Sequence, residues 1–269
     1  MTNLTPFLLD GMKCRLIKGV INVAEKDLNL IEHLEELRKR LIITVSIFLL
    51  SFIIGFIYVE DIYKWLVKDL DVKLLVLGPS EIIWIYFMLA TVIAIAITIP
   101  FLAMQVWLFV KPALLENEVK ATLAYIPALF LLFLGGLAFG YFAILPMILD
   151  FLLELGEGMF ETTFTAEKYF GFVLNMTMPF AILFELPVVT MFLTSIGIIN
   201  PFVLQKLRKY AYFVLVLIAI TITPPDFMSD FIVTVPLLLL YEISISLSKI
   251  VFRRKQRREA KAEQEVIGE

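Results

Sequence analysis

The sequence is poor in the residues that build metal centres and disulfide frameworks. Its 269 residues include one cysteine, Cys14, and one histidine, His33. A lone cysteine excludes an internal disulfide, and these two residues argue against a thiolate or imidazole metal cluster. Neither residue lies in the long apolar segments, and those segments contain no pair of aspartates near their middle. If these segments cross a membrane, they therefore offer no nucleophile with an adjacent base, which an intramembrane enzyme would need. We therefore expect a protein that is not an enzyme and has no metal or cofactor.

Charged residues are scarce as well. They make up 18% of the chain, whereas hydrophobic residues make up 60% and the mean hydropathy is +0.91. Soluble proteins carry about 25% charged residues. The apolar residues form long blocks without the two-residue alternation of transmembrane strands. The sequence therefore predicts an all-α integral membrane protein.

Six apolar blocks are candidate transmembrane helices, and several contain prolines that tend to kink a helix. They are residues 41–59, 82–110, 121–149, 169–197, 210–223 and 231–248. The fifth block crosses only about 21 Å of a roughly 30 Å hydrocarbon core. Either helices five and six are short and the bilayer thins beside them, or the prolines of "TPPD" lie deeper than the blocks suggest. Gly136 and Gly140, four residues apart in the third block, predict close helix packing.

Basic residues predict the orientation of these helices. If the N-terminus is cytoplasmic, 19 of the 23 Lys and Arg residues lie on the cytoplasmic side. This asymmetry favours a multi-pass protein with both termini in the cytoplasm. Residues 1–29 contain no cleavable signal, and we expect them to form a soluble extension. A membrane domain at 30–252 and a charged cytoplasmic tail at 253–269 would follow.

Two carboxylates beside the apolar blocks are candidates for binding a cationic partner. Within "LIEHLEELRKRL", Glu36 precedes Arg40 by four residues, a spacing that favours an ion pair on a helix, and Glu35 precedes Lys39 in the same way. These groups are either solvated pairs or a carboxylate presented to a partner at the membrane surface. Glu118, just before the third block, either stabilises a helix N-terminus or binds guanidinium groups together with Glu36 through bidentate hydrogen bonds.

A third carboxylate, Glu185, lies near the middle of the fourth block, in "MPFAILFELPVVTMF". A carboxylate at that depth costs about 2.5–3.5 kcal/mol on insertion scales. We interpret Glu185 as facing a wet cavity, and the alternative is that it is protonated or hydrogen-bonded to a neighbouring helix. Glu242 in the sixth block is a candidate to pair with Lys249 or Arg253, and Asp226 is a candidate cap for helix six.

Five segments, in order along the chain, resemble the TatC family, the multi-spanning receptor subunit of the twin-arginine protein translocase. They are "HLEELRKRL", "PFLAMQVWLFVKPALLENE", "GLAFGYFAILP", "FELPV" and "TPPD". The resemblance extends over about residues 33–254. Each segment alone is weakly specific, but the five together, on six predicted spans with both ends inside, are highly specific.

The resemblance implies a bundle of six helices curved around a concave face in the cytoplasmic (inner) membrane. Its substrates would be folded proteins that carry a twin-arginine signal peptide and are exported at the expense of the proton motive force. Its partners would be TatA- and TatB-type single-span proteins, the lipid bilayer and further copies of itself, with no nucleic acid.

The resemblance also implies roles for individual residues. Glu36 and Glu118 match the family's acidic positions that receive the two arginines, and Arg38 and Phe109 match others on that surface. Glu185 matches the intramembrane glutamate of the concave face.

A second group of matching residues lies at the last outer turn. Asp226 matches the family's acidic residue there, while Thr223 and Asp230 fall where the family has a polar cluster that contacts partner helices. The family often has glutamine in place of Asp230, so the acid at this position departs from the pattern.

A secondary transporter or proton pathway that uses Glu185 as its titrating site is the alternative function. Such proteins are commonly built from inverted repeats with paired broken helices. The sequence shows no convincing internal repeat and only one acidic residue near mid-depth.

Overall fold

The computed structural model describes residues 5–68, 74–111, 119, 122–156 and 163–267. Within these ranges the chain is helical, apart from connecting segments and one two-residue parallel bridge that pairs Leu75 with Thr165. Five helical segments are long and apolar enough to cross a membrane, and a shorter sixth helix lies between the last two. The predicted all-α, multi-pass architecture is confirmed. The chain divides into two compact units, Met1–Ser46 and Ile47–Glu269.

The first helix, α1 (Thr5–Val67), passes from the first unit into the second. Its portion Leu34–Val67 is suited to crossing a membrane, so the apolar helix extends beyond the predicted block 41–59 at both ends. That residues 1–29 form a soluble extension stays a prediction.

Span two is the single helix α2 (Pro79–Val110), close to the predicted block. Pro79 opens it, where the missing backbone N–H of proline costs no helical hydrogen bond. Its 32 residues rise about 48 Å, which exceeds the hydrocarbon core of a bilayer, so this helix must tilt or project from the membrane.

Span three consists of α3 (Tyr125–Phe139), a π-helical turn (Gly140–Ile144) and α4 (Leu145–Gly156). In the π turn the N–H of Leu145 bonds to the carbonyl of Gly140, five residues earlier. The wide turn lies directly before Pro146, whose ring would clash with a carbonyl in a regular helix. The sequence predicted a proline kink here, and the structure contains this helical defect instead.

Span four is broken into α5 (Ala166–Leu183) and α6 (Leu186–Ser195), with Phe184 and Glu185 between them. Pro187 lies in the first turn of α6, where proline is tolerated. In a continuous helix its ring would clash with the preceding turn, so α5 cannot run unbroken into α6. The break therefore places Glu185 at a helix start inside the membrane-spanning segment.

The last span pair follows a short helix, α7 (Pro201–Lys206), and comprises α8 (Arg208–Ile222) and α9 (Phe227–Ile267). The 15 residues of α8 rise about 22 Å, so span five is short, as predicted. Helix six is longer than expected. Its 41 residues continue through the charged tail because Lys, Arg, Glu, Gln and Ala are good helix formers.

Span three packs against span four at two glycines. A Cβ at Gly136 would lie 2.7 Å from the Cα of Ala181 and 2.7 Å from the carbonyl oxygen of Phe180. A Cβ at Gly140 would lie 2.7 Å from the Cα of Thr177. Only glycine lets the two backbones approach so closely, so the predicted packing role of this pair is confirmed.

Candidate functional site

A partly open cavity of about 600 Å³ lies between spans two, three and four. Its walls are formed by α2 between Ile95 and Trp107, by the start of span three from Thr122 to Leu129, and by span four on both sides of its break. All three segments belong to one half of the bundle, the half where α2 ends and α3 begins. The volume is typical of a ligand pocket, and the walls are mainly aliphatic and aromatic.

Glu185 is the only charged residue among the described residues that line the cavity. Both of its carboxylate oxygens are shielded from solvent and have no hydrogen-bond partner in the described part of the chain. Glu185 therefore lines a cavity, as interpreted, and shows no hydrogen bond to a neighbouring helix in the described part of the chain. That the cavity is wet, or that Glu185 is protonated, stays a prediction. A shielded, charged carboxylate without a partner is costly, so Glu185 is stable here either when protonated or when a polar or cationic group enters the cavity.

The cavity wall includes a tryptophan, Trp107, that sequence reasoning did not single out. The buried Trp107 side chain donates a hydrogen bond from Nε1 to Oγ1 of Thr122, at 2.9 Å. The ammonium of Lys111 lies 5.5 Å from the centre of the Trp107 ring, within the range of a cation–π contact. The hydrogen bond from Trp107 to Thr122 joins the end of span two to the start of span three. Phe109, which lies between Trp107 and Lys111 in the sequence, is half-buried.

A set of hydroxyl contacts attaches α6, one wall of the cavity, to α9. The Oγ1 of Thr194 and the Oγ of Ser248 are 2.6 Å apart, and both residues are almost completely buried. Nearby, Nζ of Lys255 donates to the carbonyl of Ser195 at 2.8 Å. The C-terminal half of span four is therefore held by span six. In the sequence, Ser and Thr within apolar blocks gave no sign of which helix they would face.

The carboxylate Glu36 lies on α1 in the first unit, where it forms an ion pair with Arg40. The predicted pairing at this spacing is confirmed. Arg38, two residues away, is exposed. Glu118 lies outside the described residues, so a joint site of Glu36 and Glu118 stays a prediction.

The three residues predicted at the outer turn lie close together at the α8–α9 connection. The buried Thr223 hydroxyl donates a hydrogen bond to the Asp230 carboxylate. Asp226 accepts a hydrogen bond from the backbone N–H of Ser229 at 2.7 Å, so its predicted role as a helix cap is confirmed. A contact between this cluster and partner helices stays a prediction.

Glu242 has different partners from those the sequence suggested. Nη2 of Arg208 donates to it at 2.7 Å, and the Tyr212 hydroxyl donates to its other oxygen. Pairing with Lys249 or Arg253 is wrong, because those residues are two and three turns away on the same helix whereas α8 packs directly beside α9. The contact joins spans five and six.

A multi-pass helical membrane protein with an apolar cavity and one shielded carboxylate is therefore the class that the fold and the site define. The family model of the Sec-independent protein translocase protein (TatC) matches residues 32–236. The chain belongs to the TatC family.

Individual relatives agree with this membership. TatCd of Bacillus subtilis (strain 168) is 54% identical over 238 residues, which cover 88% of this chain and 98% of that protein. TatCy of the same organism is 43% identical over 237 residues, which cover 87% and 93%. A crystal structure of the twin-arginine translocase receptor TatC matches with a TM-score of 0.71 at 36% identity, covering 81% of this chain and 99% of that one. Members of this family are translocase components and not enzymes.

Proposed function

We propose that this chain binds the twin-arginine signal peptides of folded proteins at the cytoplasmic face of the inner membrane. On this proposal both termini are cytoplasmic, and the chain assembles with TatA- and TatB-type single-span proteins and with further copies of itself. The excess of Lys and Arg in the segments assigned to the cytoplasm supports the orientation.

The observation that carries the proposal is the apolar cavity between spans two, three and four. A signal peptide offers two arginines followed by an apolar segment. The cavity walls suit the apolar segment, and on the proposed orientation they lie in the cytoplasmic half of the bundle. A volume of about 600 Å³ accepts several side chains of an inserted segment but not a folded domain. Passage of the cargo itself would therefore require the assembled partners.

The two arginines would bind the carboxylates of Glu36 and Glu118, with Arg38 and Phe109 on the same surface. A guanidinium offers a fork of N–H donors that matches the two oxygens of a carboxylate, whereas the ammonium of lysine does not. The geometry of recognition therefore favours arginine over lysine at equal charge.

Peptide binding to the purified chain in lipid nanodiscs tests the carboxylates. The variants Glu36→Gln and Glu118→Gln should each weaken binding of a fluorescent twin-arginine peptide by roughly 10- to 100-fold, because a hydrogen bond to a charged group contributes about 1.5–3 kcal/mol. Glu35→Gln is the matched control, since Glu35 is an exposed carboxylate beside Glu36 on α1. A twin-lysine peptide that binds the unmodified chain equally well would contradict bidentate recognition.

Photo-crosslinking tests the cavity. A benzophenone at Ile126 or Val189, both in the cavity wall, should crosslink to the apolar segment of a bound signal peptide. Leu131 is the control because it lies on α3 outside the cavity and its side chain is 65% exposed. Equal crosslinking from Leu131 would show that the peptide does not occupy the cavity.

The broken fourth span is the one observation that favours the alternative of a proton or solute pathway through Glu185, because transporters bind ions at such breaks. Liposomes that contain this chain alone should show no ion- or solute-dependent uptake on the receptor proposal. Uptake that is lost in Glu185→Gln would favour the alternative.

A further inference from the structure

The carboxylate assigned to arginine recognition is already occupied by an arginine of the same helix. Nη2 of Arg40 donates a hydrogen bond to Oε1 of Glu36, one helical turn away on α1. The side chain of Arg40 is 17% exposed and that of Glu36 is 36% exposed. The guanidinium is thus the more enclosed partner, and the carboxylate remains the more accessible one.

We infer that Arg40 is an internal competitor for Glu36 and sets the affinity of the chain for arginine-bearing ligands. This inference rests on the proposed function. A bidentate guanidinium–carboxylate pair uses both carboxylate oxygens, and Arg40 holds one of them. An incoming arginine therefore reaches its full geometry only when Arg40 moves away. Before binding and after release, Arg40 returns, so the Glu36 carboxylate keeps a cationic partner throughout.

Competition of this kind has a defined thermodynamic signature. A ligand that requires free Glu36 binds more weakly in proportion to the fraction of chains in which Glu36 is free. That fraction is a property of the receptor, so the loss of affinity is the same for every ligand that must displace Arg40. A twin-arginine peptide, which uses both carboxylate oxygens, loses the full factor, whereas a lysine, which needs one oxygen, loses less.

The expected factor follows from the strength of ion pairs in this setting. An ion pair at this spacing, or at a partly exposed position, contributes about 0.2–1 kcal/mol. Replacing Arg40 with a neutral residue should accordingly tighten binding about two- to fivefold. Removing a positive charge near a cationic ligand also tightens binding non-specifically, so a neighbouring charge must serve as the control.

Peptide titrations of three variants in nanodiscs test the inference. Arg40→Gln should bind the twin-arginine peptide about two- to fivefold more tightly, whereas the twin-lysine peptide should gain less. Lys39→Gln removes the same charge from an exposed neighbour and should have a clearly smaller effect. In a Glu36→Gln background, Arg40→Gln should tighten binding no more than Lys39→Gln does, because no carboxylate remains at position 36 to compete for. If Arg40→Gln is too unstable to purify, Arg40→Lys keeps the charge, weakens the internal pair and should tighten binding to a smaller extent.

Several results would overturn the inference. Weaker binding by Arg40→Gln would make Arg40 a support for the site, and an effect equal to that of Lys39→Gln would reduce it to general electrostatics. A tightening that persists in the Glu36→Gln background and exceeds that of Lys39→Gln would place the effect of Arg40 elsewhere. If Glu36→Gln weakens binding but Arg40→Gln does not tighten it, this inference alone fails. If Glu36→Gln leaves binding unchanged, the proposed function fails together with it.

Discussion

The close contact between spans three and four can be tested by adding a single methyl group at one glycine. At Gly136 an added Cβ would lie 2.7 Å from the Cα of Ala181 and 2.7 Å from the carbonyl oxygen of Phe180. Both are backbone atoms, which cannot rotate away as a flexible side chain can, so two helices must separate. Gly136→Ala should therefore destabilise the folded chain by about 1–3 kcal/mol, as overpacking does.

The neighbouring Gly135 supplies the matched control, because a Cβ there has no atom within 4 Å. Gly135→Ala should be neutral or stabilise the helix by up to about 1 kcal/mol, since alanine restricts the unfolded chain and favours helix. Thermal unfolding in detergent, followed by loss of helical circular dichroism, should rank Gly136→Ala below the unmodified protein and Gly135→Ala at or above it. Equal midpoints for the two variants would refute the close approach of these helices.

Three further predictions concern the site. Glu185→Leu should raise the thermal stability by about 1–3 kcal/mol while reducing signal-peptide crosslinking in the cavity, because it removes a shielded carboxyl group that has no partner in the described part of the chain; lower stability would show that this carboxyl group is satisfied. Thr223→Val should weaken co-purification of single-span partners, whereas Thr221→Val should not, since the Thr221 hydroxyl is exposed and bonds within its own helix turn. Equal effects of the two variants would contradict a specific role for the cluster of Thr223, Asp226 and Asp230. Trp107→Phe keeps an aromatic ring but loses the hydrogen bond to Thr122, and it should cost about 0.5–1.5 kcal/mol in thermal unfolding; a loss unchanged in a Thr122→Val background would show that the bond is not its cause.

Agreement between sequence and structure is closest where a local rule governs the outcome. The Glu36–Arg40 pair follows from the four-residue repeat of a helix, and the packing of Gly136 and Gly140 follows from their shared face and missing side chains. Asp226 caps α9 because its side chain reaches a backbone N–H only three residues away. In each case the interacting groups are neighbours in the chain, or need only a close neighbouring helix.

Agreement is poorest where two distant segments must meet. The partners of Glu242, Arg208 and Tyr212, lie on α8, 34 and 30 residues earlier in the chain. No helical periodicity relates Glu242 to residues so far away. The contact between Trp107 and Thr122 and the hydroxyl pair of Thr194 and Ser248 are of the same kind. The length of α9 was underestimated for another reason, because the hydrophobic pattern marks where a helix enters lipid and not where the helix ends.

The sequence by itself determined that this protein is an all-helical, multi-pass membrane protein with a short fifth span and a carboxylate inside its fourth. The physical reason is that hydrocarbon solvates no backbone polar group, so each apolar block of sufficient length must become a helix. Only the tertiary structure decided that the fourth span breaks at Glu185 and that three helices leave a cavity against this residue. That outcome depends on which helix faces meet and how closely they pack. The packing is a property of all the spans together, so the sequence of any single span does not determine it.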